Sequence, residues 1–405
     1  MTIKLGRLGI AAAVLGMAGG TSSAMAEDGL LDYVEPIVNA RLRYEYVDQN
    51  GFSNDANAVT ARARIGAQTK PIYGFSVLAE GEFTGGLTND FNSTTNGRTA
   101  YPVVADPDND ELNRLQISYG SDYVDATVGR QRIIFDNARF VGNVGWRQNE
   151  QTFDAAMGTV KPFTGVSATY AYVNRVQTIF GTDSANADYE GDTQFIHLGY
   201  SGLDWLDAVA YAYLVDLDDR AVLSSQSYGA RAVATFGIEE NTDLIVIGEY
   251  ANQSDYGSNP NDFTLGYYHG SVGMKRGPFA ASAAFEILGG DGTVGFSTPL
   301  ATLHKFQGWA DVFLATPASG IRDVYAQVGY GFGEAGPFKK VLTTAVYHTF
   351  DADEGGGSLG QEIDLSVKGV LTPKLAITAK FASYDGPSGG PASRQKLWLQ
   401  VDWAY

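Results

Sequence analysis

Two short runs place cations at a spacing of two: Arg41 and Arg43 in "RLRYEY", and Arg62 and Arg64 in "ARARIG". A guanidinium grips a carboxylate or a sulfate with two parallel N–H donors. Residues two apart share one face of an extended chain. A hairpin centred between Phe52 and Ser53 would set Arg41 opposite Arg64 and Arg43 opposite Arg62. Like charges facing each other across strands are destabilising, so four such groups need a task. Arg114, Arg231, Lys368, Lys380 and Lys396 lie on the polar parity of their own runs and extend the set. The acids Glu45, Glu80, Glu82, Glu249, Glu286, Glu362, Asp364 and Asp402 share that parity. Two uses fit: a row of weak sites for an anionic chain, or braces that neutralise the acids. In the first case, removing the four arginines together should leave folding intact, because they repel one another at least as much as they pair.

Other chemistry finds little support. The histidines, His197, His269, His304 and His348, are scattered, with no nucleophile–His–acid order and no H-E-x-x-H. Neither a GxGxxG run nor a P-loop occurs, and cysteine is absent, so no catalytic residue, metal site or cofactor is expected. The acidic runs 106–110 and 351–357 look like parts of a calcium loop but lack the closing glutamate, and read as solvated loop tips. A net charge of −18 argues against nucleic acid as a partner.

The elements that carry these residues are strands. "EIDLSVKG" sets Glu362, Asp364, Ser366 and Lys368 against Ile363, Leu365, Val367 and Gly369, and similar alternation recurs along the chain. Eighteen segments follow this pattern, near 36–47, 57–69, 75–84, 111–119, 124–134, 152–161, 165–175, 192–200, 206–215, 226–236, 242–251, 263–274, 279–288, 321–333, 339–350, 360–371, 374–384 and 395–405. Alternation is most blurred at 206–215 and 263–274. Short connections rich in turn residues alternate with longer polar ones, the longest being 85–110 and 289–320.

Both ends point to a membrane. Residues 1–26 read as a signal peptide: Lys4 and Arg7, a short apolar run, then Ala24-Met25-Ala26. The chain ends on "KLWLQVDWAY", whose Leu397, Leu399, Val401, Trp403 and Tyr405 share a parity. In lipid every backbone group must be paired, so a spanning sheet must close on itself. Residues 27–405 are therefore expected to form one all-β domain, a transmembrane antiparallel barrel of about eighteen strands whose last strand closes against the first. A soluble sandwich would need a second layer over each apolar face. The expected location is the outer membrane of a Gram-negative cell, with its lipid and lipopolysaccharide as surroundings. The aromatic ending also resembles the last strand that the barrel-insertion machinery reads.

The stretches "VGRQRIIFDNARFVGNVGWRQNEQTFDAA" (128–156) and "FEILGGDGTVGFSTPLATLHKFQGWADVFLATPASGIRDVY" (285–325) resemble the alginate export family of outer-membrane barrels. That resemblance implies an eighteen-stranded channel passing an anionic saccharide through an arginine-lined lumen. It differs from the exporter in lacking any long loop on the short-turn side that could serve as a plug. A general or uptake porin for small solutes is the alternative, and an enzyme or adhesin using 289–320 is a third. In the barrel reading the four arginines, with Arg114, Arg231, Lys368, Lys380, Lys396, Glu45, Glu80 and Glu82, line the pore. Arg130 and Arg132 share the parity of Val128, so either a bulge at Gly129 turns them inward or they lie above the membrane. With Arg139 and Arg147 they are candidates for the pore mouth.

Overall fold

A computed structural model describes residues 33–405, so the signal-peptide expectation for 1–26 lies outside the described residues. The alternating segments form β1 (Val34–Gln49), β2 (Ala56–Thr69), β3 (Phe75–Gly86), β4 (Asn109–Gly120), β5 (Val124–Gln131), β6 (Thr152–Phe163), β7 (Val166–Gln177), β8 (Asp188–Leu203) and β9 (Leu206–Val215). They continue as β10 (Ser225–Glu239), β11 (Thr242–Asp255), β12 (Thr264–Arg276), β13 (Phe279–Leu288), β14 (Ile321–Phe332), β15 (Lys340–Asp351), β16 (Ser358–Thr372), β17 (Leu375–Asp385) and β18 (Arg394–Ala404). All eighteen expected strands are present, including the two with blurred alternation. Each pairs antiparallel with its sequence neighbours, and β1 pairs with both β2 and β18. The closing seam runs from Asn39 opposite Ala404 to Gln49 opposite Arg394. Its last bond is Tyr405 N–H to the Val38 carbonyl at 2.9 Å.

Period-2 alternation fixes which face is which. Ile65, Ile117, Val128, Leu198, Val272, Ile363 and Leu399 point away from the barrel and are exposed around its circumference. Tyr73, Tyr123 and Phe163 stand exposed beside the short turns. At the other rim Tyr46, Tyr228 and Tyr347 donate to Asp55, Gln226 and Gln361 at 2.9, 3.0 and 2.7 Å. An apolar band between two aromatic girdles on a closed, even-stranded barrel is outer-membrane architecture.

The turns lie at one end and the long loops at the other. Two of the long loops, 132–151 and 289–320, fold into the lumen instead of standing above it. This placement corrects the reading of one of the two acidic runs expected as solvated loop tips. In 106–110, Asp106 is buried and accepts from Gln148 N–H of the inward loop at 2.9 Å. The run 351–357 stays at the rim, where Asp353 meets Arg322 at 3.5 Å.

The β1–β2 register also differs by two residues from the hairpin expected. Arg41 faces Arg62, Arg43 faces Thr60, and Asn39 faces Arg64. The chain reverses at Gln49–Phe52, where Phe52 N–H reaches the Gln49 carbonyl at 3.2 Å and Gly51 adopts φ 95°. A left-handed residue in a tight reversal suits glycine, and Asn50-Gly51 moves the fold-back point toward β1. A slip of two preserves parity, so the lumen face is unchanged.

Candidate functional site: a loop-constricted lumen lined with arginine

The β1–β3 wall carries the arginines inward behind the inward loops, with Arg43, Arg62 and Arg64 buried and Arg41 half-buried. Arg64 pairs with Glu82 and lies 3.4 Å from Glu150. Arg43 donates to Gln400 at 2.9 Å and to the Trp146 carbonyl at 2.5 Å, and lies 3.7 Å from Asp106. Arg41 pairs with Asp402 at 2.8 Å and caps the carbonyls of Gly145, Trp146 and Arg147 at 3.0–3.2 Å. Arg62 differs from its neighbours. It is 2 % exposed and donates to Asn39 Oδ1, and among the described residues it has no ion-pair partner and its Nε and Nη1 find no acceptor. A buried guanidinium without a counter-charge is costly, so this position is held by its surroundings.

The 132–151 loop supplies the opposing charges. Glu150 accepts from Arg132 Nε at 2.7 Å and from Asn113 at 2.6 Å. Burial alone would raise its carboxyl, but the Arg64 and Arg132 guanidiniums overcome that and hold it at about 2. Arg147 is buried between Glu45 at 3.1 Å and Asp311 at 3.0 Å. Burial disfavours its charge, but Glu45, Asp106 and Asp311 keep it firmly protonated. Arg139 is 1 % exposed and pairs with Glu286 at 2.7 Å. Neither Arg139 nor Arg147 sits at an open mouth as the sequence suggested, because the loop carries both into the barrel. Arg130 and Arg132 separate. The β4–β5–β6 register runs through Gly129 without a bulge. Arg130 therefore stays on the parity of Val128, held by Asp154 at 2.7 and 2.9 Å. β5 ends at Gln131, three residues short of the expected end, and this frees Arg132 to turn inward onto Glu150 and Glu80.

The 289–320 loop is seated by charge and by backbone. Asp311 takes His304 Nδ1 at 2.7 Å, Lys396 Nζ at 2.7 Å and Arg147. Burial would raise Asp311, but His304, Lys396 and Arg147 hold it well below the usual carboxylate range. His304 Nε2 faces Lys380 Nζ at 2.8 Å, so it accepts there and donates from Nδ1. Burial, with Lys380 beside it, pushes His304 down to about 3 against the pull of Asp311. Its ring stacks on Trp146 with centroids 4.5 Å apart, which ties the two loops together. Lys380 lies 3.8 Å from the Trp309 ring centroid and 4.2 Å from that of Trp146. The backbone N–H groups of Trp309 and Ala310 donate to Asp364 at 3.1 Å and to Glu362 at 2.6 Å. Gly308, at φ 81°, lies so close that a Cβ would sit 2.4 Å from the Glu362 carboxyl carbon.

The remaining expected positions are dispersed. Arg114 grips Glu80 at 2.8 and 3.0 Å, Arg231 lies 3.4 Å from its cross-strand partner Glu249, and Lys368 is exposed toward the short-turn end. Lys396 also reaches Glu45 at 3.0 Å. Residues that strand parity did not single out are Trp146, Glu150, His304, Gln307 and Asp311. All lie in the two inward loops, where alternation carries no signal.

No protein-family model matches the chain, and no curated protein does either. Solved structures are similar in shape. The outer membrane protein OpdK from Pseudomonas aeruginosa aligns at a TM-score of 0.71 and 12% identity, over 92% of this chain and 98% of that one. OpdL from the same organism aligns at 0.70 and 15%, over 92% and 98%. OccAB4 from Acinetobacter baumannii aligns at 0.69 and 15%, over 93% and 100%. At such identities the likeness speaks for the fold. The eighteen-stranded barrel implied by the resemblance to alginate exporters is therefore present. The two segments that carried that resemblance, 128–156 and 285–325, contain the two inward loops.

Proposed function

We propose that the protein is a passive outer-membrane channel for uptake of small anionic solutes. Arg62 carries this reading: a buried guanidinium facing Arg41 across the strand pair, its Nε and Nη1 without an acceptor and no carboxylate of the described residues paired to it. A passing carboxylate or phosphate would supply what that group lacks. Loop geometry supports small solutes over a polymer. The inward loops leave chambers of about 440 and 500 Å³, the volume of small-molecule sites. Export of an anionic polysaccharide, the reading suggested by the resemblance, would require both loops to leave their seats. The test is a reversal potential across a planar bilayer under a salt gradient. Wild-type protein should prefer anions despite its overall charge of −18, and Arg62→Gln should lower that preference. Cation preference in the wild type would reject the reading.

A further inference from the structure

The two loop-bounded chambers lie on either side of one layer of side chains. On the long-loop side, a cavity of about 440 Å³ has Phe180, Leu223, Phe296 and Phe313 among its walls and Arg139 in its lining. On the short-turn side, one of about 500 Å³ is lined by Arg231, His269, Lys305, Tyr325 and Glu286 among others. Gln307 lines both. Arg139 donates through Nε to Glu286 at 2.7 Å, through Nη1 to Thr298 at 3.0 Å and through Nη2 to Gln307 at 3.4 Å. Gln307 in turn donates to the other oxygen of Glu286, Oε2, while Tyr267 donates to Oε1 at 2.7 Å, the oxygen that Arg139 also uses. All five side chains are buried. Gln307 holds φ 49°, a left-handed conformation uncommon for a residue with a Cβ.

We propose that this layer is the gate of the permeation path, with Arg139 its selectivity residue and Glu286 an internal carboxylate occupying the seat a permeating anion takes. The proposal rests on the reading of the chain as an anion-passing channel. Arg139 comes from the 132–151 loop, Gln307 from the 289–320 loop and Glu286 from the wall, so parting them joins the two cavities. An incoming carboxylate can replace Glu286 on Arg139 without changing the charge around the guanidinium. Such an exchange avoids leaving the buried cation uncompensated, the step that makes breaking a buried pair expensive. Glu286 keeps Tyr267, a neighbour on the wall, as a donor while displaced. A neutral or cationic solute offers Arg139 no substitute and opens the layer more rarely. Selectivity thus follows from competition between an internal and an external carboxylate.

The experiment uses the full chain in planar bilayers with chloride and with propionate as a small carboxylate probe. Glu286→Gln removes the competitor, and chloride conductance should rise about threefold, with propionate block at lower concentration. Arg139→Gln should abolish propionate block. Because Glu286→Gln leaves Arg139 buried without a counter-ion, the double variant serves as a neutral control for folding, and it should conduct without anion preference. The chain has no cysteine, so Gln307→Cys gives a single thiol in the gate. Its labelling by an anionic thiosulfonate reagent should cut conductance. Unchanged conductance after complete labelling, or unchanged conductance and block in both charge variants, would overturn the gate while leaving an anion-selective wild type intact. A cation-selective wild type whose conductance still rises in Glu286→Gln would keep the gate and reject the anion reading.

Discussion

Arg62 and Arg64 share a strand face and have opposite surroundings. Arg64 pairs with Glu82 and Glu150, both fully buried, whereas Arg62 makes no ion pair among the described residues. Removing one member of a buried pair costs about 3–5 kcal/mol. Arg64→Gln is therefore expected to lower the temperature at which the detergent-solubilised barrel opens, read from heat-dependent gel mobility. Arg62→Gln should leave that temperature unchanged or raise it. The expectation that four arginines could be removed together without harm to folding is thus narrowed: harmless removal is expected for Arg62, and loss of stability for Arg64. Parity showed that both side chains face the lumen. It could not show the partners, because Glu150 belongs to a loop and the register that places Asn39 opposite Arg64 depends on a turn two residues from the centre expected.

At the scale of elements, every strand was legible, because one wet face and one apolar face write a period of two into the chain. The inward loops were not. Their seats depend on groups spread over several strands, and no local pattern in 132–151 or 289–320 records them. Gly308 is one such seat. Gly308→Ala would push a methyl group into the Glu362 carboxyl and strain a left-handed backbone. The loop should then lift from Asp364 and Glu362, and protease added to the solubilised barrel should cut within 289–320 where the wild type resists. Acid should act on the same loop through His304, flanked by Asp311, Lys380 and Trp146. The ordinary value of 6.5 applies when the loop is released, and about 3 applies when it is seated. The released form thus binds more protons between those values. The seat is fully held above pH 6.5 and weakens as pH falls toward 3, by about 1.4 kcal/mol per unit within that window. Channel conductance should rise on acidification below pH 6.5, and His304→Asn should flatten that rise.

For the whole molecule, closure and charge placement decide the behaviour. The seam between β1 and β18 ends on Ala404 and Tyr405, so a chain lacking Trp403–Tyr405 leaves backbone groups unpaired at the membrane edge. Each unpaired group costs several kcal/mol in lipid. The truncated chain should fail to give the compact, heat-modifiable form on a gel. Composition alone, at −18, describes a cation channel, and only the burial of arginines behind two inward loops argues otherwise. The central claim concerns what fits through. The measurement that tests it most directly is swelling of liposomes containing the purified protein in isotonic solutions of propionate, a neutral sugar of similar size and an acidic oligouronate. The account expects propionate to enter fastest, the neutral sugar more slowly and the oligouronate not at all. Oligouronate permeation at a rate comparable to propionate, or faster passage of the neutral sugar, would contradict it.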